Sequence, residues 1–190
     1  MKKVLLAAAL MISSVAAFAQ HAVGTVTIQP KVGLNVANFT DADDADARVG
    51  FVAGAEFEYQ VSDIFSLSAG ALYSQQGAKM NSETQKLDYI NVPVMANVYV
   101  APGFAVKLGV QPGFKVNAEY SKKVGSTTVT YDSFSDVNAV DFSIPVGLSY
   151  EFNNVVLDAR YNWGLTKIAK EGFDSKNSVF QFTVGYKFAL

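Results

Sequence analysis

The sequence predicts an all-β fold, an eight-stranded antiparallel up-and-down transmembrane β-barrel. Three observations predict it. Eight segments alternate strictly between apolar and other side chains, which is typical of strands with unlike environments on their two faces. Their connections are alternately short and long, as in outer-membrane barrels. Within these segments the charged residues and the glycines lie on the non-apolar face, which suits the narrow interior of a small barrel.

The start of the chain has the features of a secretory signal peptide. Lys2 and Lys3 form a positively charged start, residues 4–17 are apolar, and Ala17-Phe18-Ala19 fits a small-x-small cleavage site. We therefore expect residues 1–19 to be cleaved and residues 20–190 to form one barrel domain. A retained N-terminal helix anchor is the alternative.

The composition excludes several classes of protein. The chain has no cysteine, so neither a disulfide framework nor a lipoprotein anchor on cysteine can form. The net charge of −2 gives no electrostatic basis for binding nucleic acid. Charged residues are 17% and aromatic residues 13% of the chain, against about 25% charged residues in soluble domains. After the signal, no apolar stretch reaches the roughly 18 residues of a transmembrane helix, so only a barrel could span a membrane.

The first four segments each carry an apolar face of alternating residues. They are residues 27–39, 50–59, 65–74 and 89–100. Their apolar faces contain Ile28, Val32 and Leu34; Phe51, Phe57 and Tyr59; Phe65, Leu67 and Tyr73; and Ile90, Val94 and Val98. Ser62-Asp63 is a predicted tight turn, whereas residues 40–48 and 77–86 are predicted loops.

The next three segments repeat this pattern between turn residues. They are residues 104–117, 140–151 and 155–166. Their apolar faces contain Phe104, Leu108 and Phe114; Phe142, Val146 and Leu148; and Leu157, Tyr161 and Trp163. Pro102-Gly103 and Asn153-Asn154 are predicted turns. Residues 121–137, which are rich in Ser, Thr, Lys and Asp, form the longest predicted loop, and residues 167–177 form the last one.

The closing segment, residues 178–190, ends the chain on an aromatic-rich apolar face. This is typical of the last strand of a bacterial outer-membrane barrel. We expect the barrel-assembly machinery to recognise this strand as a signal during insertion. The residues predicted to carry the signal are Phe182, Val184, Tyr186, Phe188 and Leu190.

The charged residues of the segments are predicted to lie in the lumen. They are Lys31, Glu56, Glu58, Lys107, Lys115, Asp141, Glu151, Asp158, Arg160 and Lys187. A Lys or Arg turned to lipid at mid-depth would cost roughly 2–4 kcal/mol. Because acidic and basic residues nearly balance, and eight-stranded barrels are normally filled, we expect a salt-bridged, non-conducting plug. Arg160 is its predicted hub, with Asp158 on its own strand and Glu151 and Lys187 on the flanking strands. A charge-lined channel is the alternative.

Two features test this interpretation. Pro30, Pro93, Pro112 and Pro145 all lie within strands, where each removes a ladder hydrogen bond, so we expect bulges or lost bonds near the rims. A soluble lipocalin-like barrel, with the apolar face turned inward to bind lipid, is the alternative fold.

The sequence also resembles a known family. Residues 87–100 (LDYINVPVMANVYV), 157–168 (LDARYNWGLTKI) and 179–188 (VFQFTVGYKF) look like the PorT-like outer-membrane β-barrel domain family. Residues 31–39 and 54–79 are similar to it as well. The resemblance implies an eight-stranded barrel of the OmpA/OmpX size that is exported and inserted by the outer-membrane assembly machinery. Such proteins usually end on an aromatic residue, whereas Ala189 and Leu190 follow Phe188 here. The namesake serves a secretion system, but the family is functionally mixed and implies no particular activity.

Catalytic and metal-binding chemistry finds little support. The one histidine, His21, is predicted to lie outside the barrel, so barrel enzymes that use a histidine base, and histidine-centred metal sites, are not expected. We predict no enzyme activity, no catalytic residue and no cofactor. Asp41, Asp43, Asp44 and Asp46 could hold a divalent cation, but their spacing does not fit an EF-hand loop, and a solvated acidic loop is the preferred interpretation.

These patterns predict a monomeric outer-membrane protein with a structural or interaction role. Its expected partners are outer-membrane lipid and lipopolysaccharide, the assembly machinery, and a protein that binds the outside loops, above all residues 121–137. An accessory part of a secretion apparatus, a narrow pore for small solutes and the soluble lipid binder stay open as alternatives.

Overall fold

The computed structural model describes residues 21–40, 45–80, 83–124, 127–170 and 174–190. The predicted signal peptide lies outside the described residues. Within these ranges no helix is long and apolar enough to span a membrane. The strands are β1 (Val26–Phe39), β2 (Ala45–Ser62), β3 (Phe65–Met80), β4 (Glu83–Asn91), β5 (Val94–Ala101), β6 (Phe104–Val124), β7 (Thr127–Asp132), β8 (Val140–Phe152), β9 (Val155–Lys167), β10 (Lys176–Tyr186) and β11 (Phe188–Ala189).

The strands form one closed antiparallel ring. Each strand pairs with its sequence neighbours, and β1 closes the ring by pairing with β10 and β11. β4 and β5 follow one another along a single position in the ring, as do β10 and β11, while β7 pairs only with β6. The ring therefore has eight positions, which confirms the predicted eight-stranded up-and-down barrel.

The two faces of each strand lie in opposite environments. On β1, Val32 and Leu34 are 54% and 55% exposed, whereas Lys31 and Asn35 are buried. On β10, Phe182 is 52% exposed and Gln181 is fully buried. The apolar face therefore points outward and the polar face inward, which is the reverse of a soluble lipocalin-like barrel.

All four strand prolines lie where pairs are missing from the ladder. Pro30 faces the gap that separates β10 from β11. Pro93 and Pro112 lie at the break between β4 and β5, where the Val92 N–H donates to the Pro112 carbonyl at 2.8 Å. At Pro145 two consecutive β6–β8 pairs are absent. The bonds are lost as expected because proline has no N–H, but the gap at Pro145 lies in the middle of its strand, so the expectation that all would lie near the rims was wrong.

Much of what the sequence predicts as loop is strand. β2 begins at Ala45, β3 continues to Met80, β4 begins at Glu83, and β6 runs to Val124 and pairs with β7. These segments extend the barrel wall beyond its apolar band. Because both faces of a strand meet water there, the alternation that identifies the membrane strands is absent from the sequence.

At the other end the connections are short. Asn153 and Asn154 adopt φ values of 47° and 69°, and Gly103 adopts 71°, the left-handed conformation that asparagine and glycine tolerate in tight turns. The chain segment before β1 and strand β11 also lie at this short-turn end, since β1 starts opposite the end of β2. The long connections all lie at the opposite, long-loop end.

Candidate functional site

The lumen is crossed by a group of five charged residues, which we call the central cluster: Lys31, Glu56, Lys107, Asp158 and Arg160. The Arg160 guanidinium donates to Asp158 Oδ1 at 2.8 Å and to Glu56 Oε1 at 3.0 Å. Lys31 pairs with Glu56 at 2.8 Å, and Lys107 pairs with Asp158 at 2.9 Å. Four ring positions, β1, β2, β6 and β9, are thereby joined across the lumen.

A second group, the turn-end cluster, consists of His21, Glu58, Tyr99, Glu151 and Lys187. The Lys187 ammonium lies 2.8 Å from Glu151 Oε2 and 3.0 Å from Glu58 Oε1. The Tyr99 hydroxyl donates to Glu58 Oε1 at 2.5 Å. This cluster lies beside the short turns and fills the lumen there.

His21 belongs to this cluster, so its predicted position outside the barrel was wrong. Its Nε2 lies 3.2 Å from Glu151 Oε1, and its side chain is only 18% exposed. The segment is held in place by two backbone bonds, from the Gly24 N–H to the Gln60 carbonyl and from the Gln60 N–H to the Thr25 carbonyl. A histidine just before the first strand carries no alternation signal, so the sequence offered nothing to place it.

Two of the predicted network residues lie elsewhere. Lys115 turns toward the long-loop end, where its ammonium donates to the carbonyls of Phe134 and Val137 and lies 4.0 Å from the centre of the Phe134 ring. Asp141 is 7% exposed, and no ion pair of the described residues includes it. The predicted hub at Arg160 also has different partners than expected, since Glu151 and Lys187 pair with each other and with Glu58.

The two clusters balance their charges. Four basic residues face four acidic ones, and each of them is at least 95% buried. An unpaired charge in such a site would cost several kcal/mol, whereas these side chains have ionic partners on neighbouring or facing strands. The arrangement can hold the strands together and obstruct the lumen. It offers no histidine–nucleophile pair for chemistry.

Between the central cluster and the long-loop end lies a set of uncharged carboxamides, which we call the amide layer. Each is at most 3% exposed, and each has at least one amide atom without a hydrogen-bond partner. They are Asn35, Asn91, Gln111, Asn162, Asn177 and Gln181. The sequence analysis missed this layer because it followed charged residues, although Asn and Gln recur on the same alternating face.

An apolar roof covers the long-loop end of the lumen. Val137 and Ile168 are buried against Leu87, Tyr89 and Ala118 of β4 and β6. The roof is held by backbone bonds, among them the Asn138 N–H to the Ile168 carbonyl at 2.8 Å and the Lys170 N–H to the Asp136 carbonyl at 3.0 Å. Parts of two predicted solvated loops therefore fold inward.

Outside the roof, β7 forms a free sheet edge. The Ser133 N–H donates to the Ala118 carbonyl of β6 at 3.1 Å, and the backbone groups of an antiparallel strand alternate in direction. The N–H and C=O groups of Thr128, Thr130 and Asp132 therefore point away from β6. β7 pairs with no other strand of the described ranges.

An exposed ion pair lies beside this hairpin. Lys122 Nζ is 2.8 Å from Glu83 Oε1. The hydrogen bond from Lys122 lowers the pKa of Glu83, and the same bond raises the pKa of Lys122. Because both side chains meet water, the pair contributes little to stability.

The acidic loop gives no metal site that can be described. Asp41, Asp43 and Asp44 lie outside the described residues. Among the residues that are described, no group of three or more His, Cys, Asp or Glu side chains could hold a metal ion. The divalent-cation hypothesis for residues 41–46 stays a prediction.

Known proteins share this architecture. The chain matches the outer membrane protein beta-barrel domain family over residues 18–170. Neisserial surface protein A has a similar structure, with 16% identity, a TM-score of 0.53, and 86% of this chain and 97% of that protein covered. Ail, the attachment invasion locus protein of Yersinia pestis, is similar at 15% identity and a TM-score of 0.51, with 88% of this chain and all of Ail covered. Ail has also been crystallised with the heparin analogue sucrose octasulfate. No curated protein sequence matches the chain.

Proposed function

Since the chain belongs to the outer membrane protein β-barrel domain family and is a small barrel of the bacterial outer membrane, we propose that it is a non-enzymatic, monomeric interaction protein. In this proposal the closed lumen makes the barrel a rigid base, and the extended strands at the long-loop end bind a protein partner. Short turns face the periplasm in outer-membrane barrels, so these extensions would face the outside of the cell.

The free edge of β7 is the observation that carries the proposal. Native proteins usually protect exposed edges with proline, lysine, bulges or covering loops. The sequence of β7, Thr-Thr-Val-Thr-Tyr-Asp, contains no lysine or proline, is rich in β-branched residues, and carries Tyr131 with 57% of its surface exposed. Such an edge can accept an extended segment of another protein as an additional strand.

The likeness to Ail and Neisserial surface protein A supports the fold of this base and leaves the partner open, because the identities are low. The heparin analogue was bound by Ail. For this chain the exposed charges beside β7 include both Lys122 and Glu83, which gives no one-sided field for a polyanion.

A pore is the less favoured function. Two charged clusters and the apolar roof all lie across the lumen, and each would have to open for a solute to pass. The PorT-like resemblance keeps a role as an accessory of a secretion apparatus as a second proposal, which crosslinking and co-purification with secretion components would support.

Substitution of Thr130 separates edge binding from other roles. Thr130→Pro removes an N–H that points away from β6, so it blocks strand addition while leaving the β6–β7 bonds in place. Thr130→Ala is the matched control, because it keeps the N–H and removes only side-chain atoms. Heat-modifiable gel migration would establish that all three proteins fold.

The readout is binding to partners isolated from intact cells by the wild-type protein in nanodiscs. A partner supports the proposal if Thr130→Pro weakens its binding by roughly tenfold, as loss of hydrogen bonds at an edge implies, while Thr130→Ala does not. Equal binding by all three proteins would contradict edge recognition. Steady ion conductance of the wild type in planar bilayers would instead favour the pore.

A further inference from the structure

Asp141 is a buried carboxylate without an ionic partner among the described residues. It lies on the inner face of β8, 7% exposed, between the apolar roof and the central cluster. The other acidic residues of the predicted lumenal network all have a basic partner within 4 Å. A buried charge is costly unless it is paired or coordinates a metal, so the surroundings of Asp141 must supply a compensating group.

On the β6 side, a glycine leaves room beside Asp141. Gly113 is its cross-strand partner, and Asn91 is the partner of Gly113 on β4. A Cβ atom at Gly113 would lie 2.5 Å from the Asn91 Oδ1 atom. The Asn91 side chain therefore extends over Gly113 toward Asp141. Asn91 is 1% exposed, and its Nδ2 atom has no hydrogen-bond partner.

On the β9 side, a second glycine has the same effect. Gly164 pairs with Ser143, two residues along β8 from Asp141. The backbone carbonyl of Asn177 lies 2.3 Å from where a Cβ of Gly164 would be. Asn177 is 2% exposed, and both its amide atoms are without a partner. Gln111, one step below Gly113 on the inner face, has an unpartnered Oε1 atom as well.

The groups around Asp141 are thus uncharged amides whose oxygens are buried, together with one carboxylate. Carboxylate, amide carbonyl and water oxygens are the ligands of hard cations. Calcium sites gather several carboxylates, whereas only one is present here. One negative charge and neutral oxygens suit a single monovalent ion.

We propose that Asp141, Asn91, Asn177 and Gln111 form a binding site for one partly hydrated monovalent metal cation, sodium or potassium, inside the lumen. The carboxylate balances the charge of the ion. The amide oxygens and enclosed water complete its coordination, which also gives the unpartnered amide atoms their hydrogen bonds. The site is independent of the β7 edge and of the proposed interaction function.

Lys115 is the one competitor that the described residues offer. Its backbone N–H donates to the Ala139 carbonyl at 2.9 Å, so it lies on the strand next to Asp141. Its ammonium, however, is held by the roof carbonyls of Phe134 and Val137. If it turned down to Asp141, the ammonium would take the place of the metal cation.

Cation-specific stabilisation tests the site. The urea midpoint of the wild-type barrel in nanodiscs is measured in sodium or potassium chloride and in N-methylglucamine chloride at the same ionic strength. The small cations should raise the midpoint, because the large organic cation cannot enter. Asp141→Asn should abolish that difference, while Asp136→Asn, an exposed carboxylate beside the roof, should retain it.

Crystals grown with rubidium or thallium chloride give a readout that does not depend on stability. We expect an anomalous peak beside the Asp141 carboxylate in the wild type and none in Asp141→Asn. An absent peak together with equal wild-type midpoints in all salts would overturn the proposal. If Lys115→Met then created the salt effect, Lys115 would be the native partner of Asp141.

Discussion

Arg160 binds Glu56 across the lumen, with Nη1 and Oε1 3.0 Å apart. The two residues lie on β9 and β2, which are three positions apart around the ring, so the bond joins nearly opposite walls. Both side chains are at least 98% buried. Because Glu56 also accepts from Lys31, and Arg160 also donates to Asp158, loss of either residue would leave unpaired charges in the interior.

Glu56→Gln should therefore destabilise the barrel strongly. It removes one of the two carboxylates that balance Arg160, Lys31 and Lys107, and breaking a buried pair on one side costs about 3–5 kcal/mol. Reversible urea unfolding in lipid vesicles would measure the loss. Glu83→Gln is the matched control, since it breaks the exposed pair with Lys122 and should leave the midpoint unchanged. Equal effects of the two substitutions would show that the central cluster is not a stabilising network.

The pair formed by Glu83 and Lys122 should make the β4–β6 extension sensitive to pH. The pKa of Glu83 is lowered by the hydrogen bond from Lys122, and the pKa of Lys122 is raised by the same bond. A lowered carboxyl pKa contributes stability above its unfolded value, and this contribution is lost as the pH falls through the folded value; for Lys122 it is lost as the pH rises through the raised value.

We expect backbone amides around Ser121 to exchange hydrogen faster at acid pH, after correction for the intrinsic exchange rate. The global unfolding midpoint should not follow this local change, because the pair is exposed. In Glu83→Gln the acid-dependent part should vanish. A variant that kept the same pH profile as the wild type would show that another group is responsible.

The faces of the membrane strands were predictable, and the contacts between them were not. Alternation places Arg160, Asp158 and Glu56 on the inner face from the sequence alone. Which charges meet depends on how far each strand is staggered against the next, and closure of a barrel fixes that stagger globally. For this reason Lys187 pairs with Glu58 and Glu151 below Arg160, rather than with the hub.

The roof and the extensions were unpredictable for a different reason. Val137 and Ile168 are isolated apolar residues in polar surroundings, and nothing local distinguishes them from exposed ones. Their burial depends on the mouth of the barrel, which exists only once the ring has closed. The β6–β7 hairpin likewise has no two-faced pattern, because water reaches both of its faces.

The roof should control access to the amide layer from the outside. Since the chain has no cysteine, Gln111→Cys would introduce a unique thiol between the roof and the central cluster. In the otherwise wild-type protein, a membrane-impermeant thiol reagent should label it far more slowly than Thr128→Cys on the exposed hairpin. Val137→Asp should speed labelling by roughly tenfold or more, because burial of a valine contributes about 1.5–3 kcal/mol.

Conductance separates the roof from the rest of the plug. With Val137→Asp alone, the central and turn-end clusters still cross the lumen, so planar bilayers should show no new open channel. Labelling of Gln111→Cys that is already fast with the native roof would mean that the roof does not close the mouth. A conducting Val137→Asp barrel would mean that the two charged clusters do not close the lumen.

The end of the chain should act in assembly through Phe188 more than through Leu190. Phe188 lies in β11 opposite Ile28, and its side chain is half exposed on the lipid-facing side. Leu190 follows the last strand, is 74% exposed, and is joined to β1 by its backbone N–H, which donates to the Val26 carbonyl at 3.0 Å. Replacing the leucine side chain leaves that bond intact, whereas replacing Phe188 removes the last aromatic of the closing strand. Phe188→Ala should therefore reduce the heat-modifiable, folded fraction in cells after pulse labelling, and Leu190→Ala should assemble like the wild type; the opposite order would assign the signal to the terminal residue.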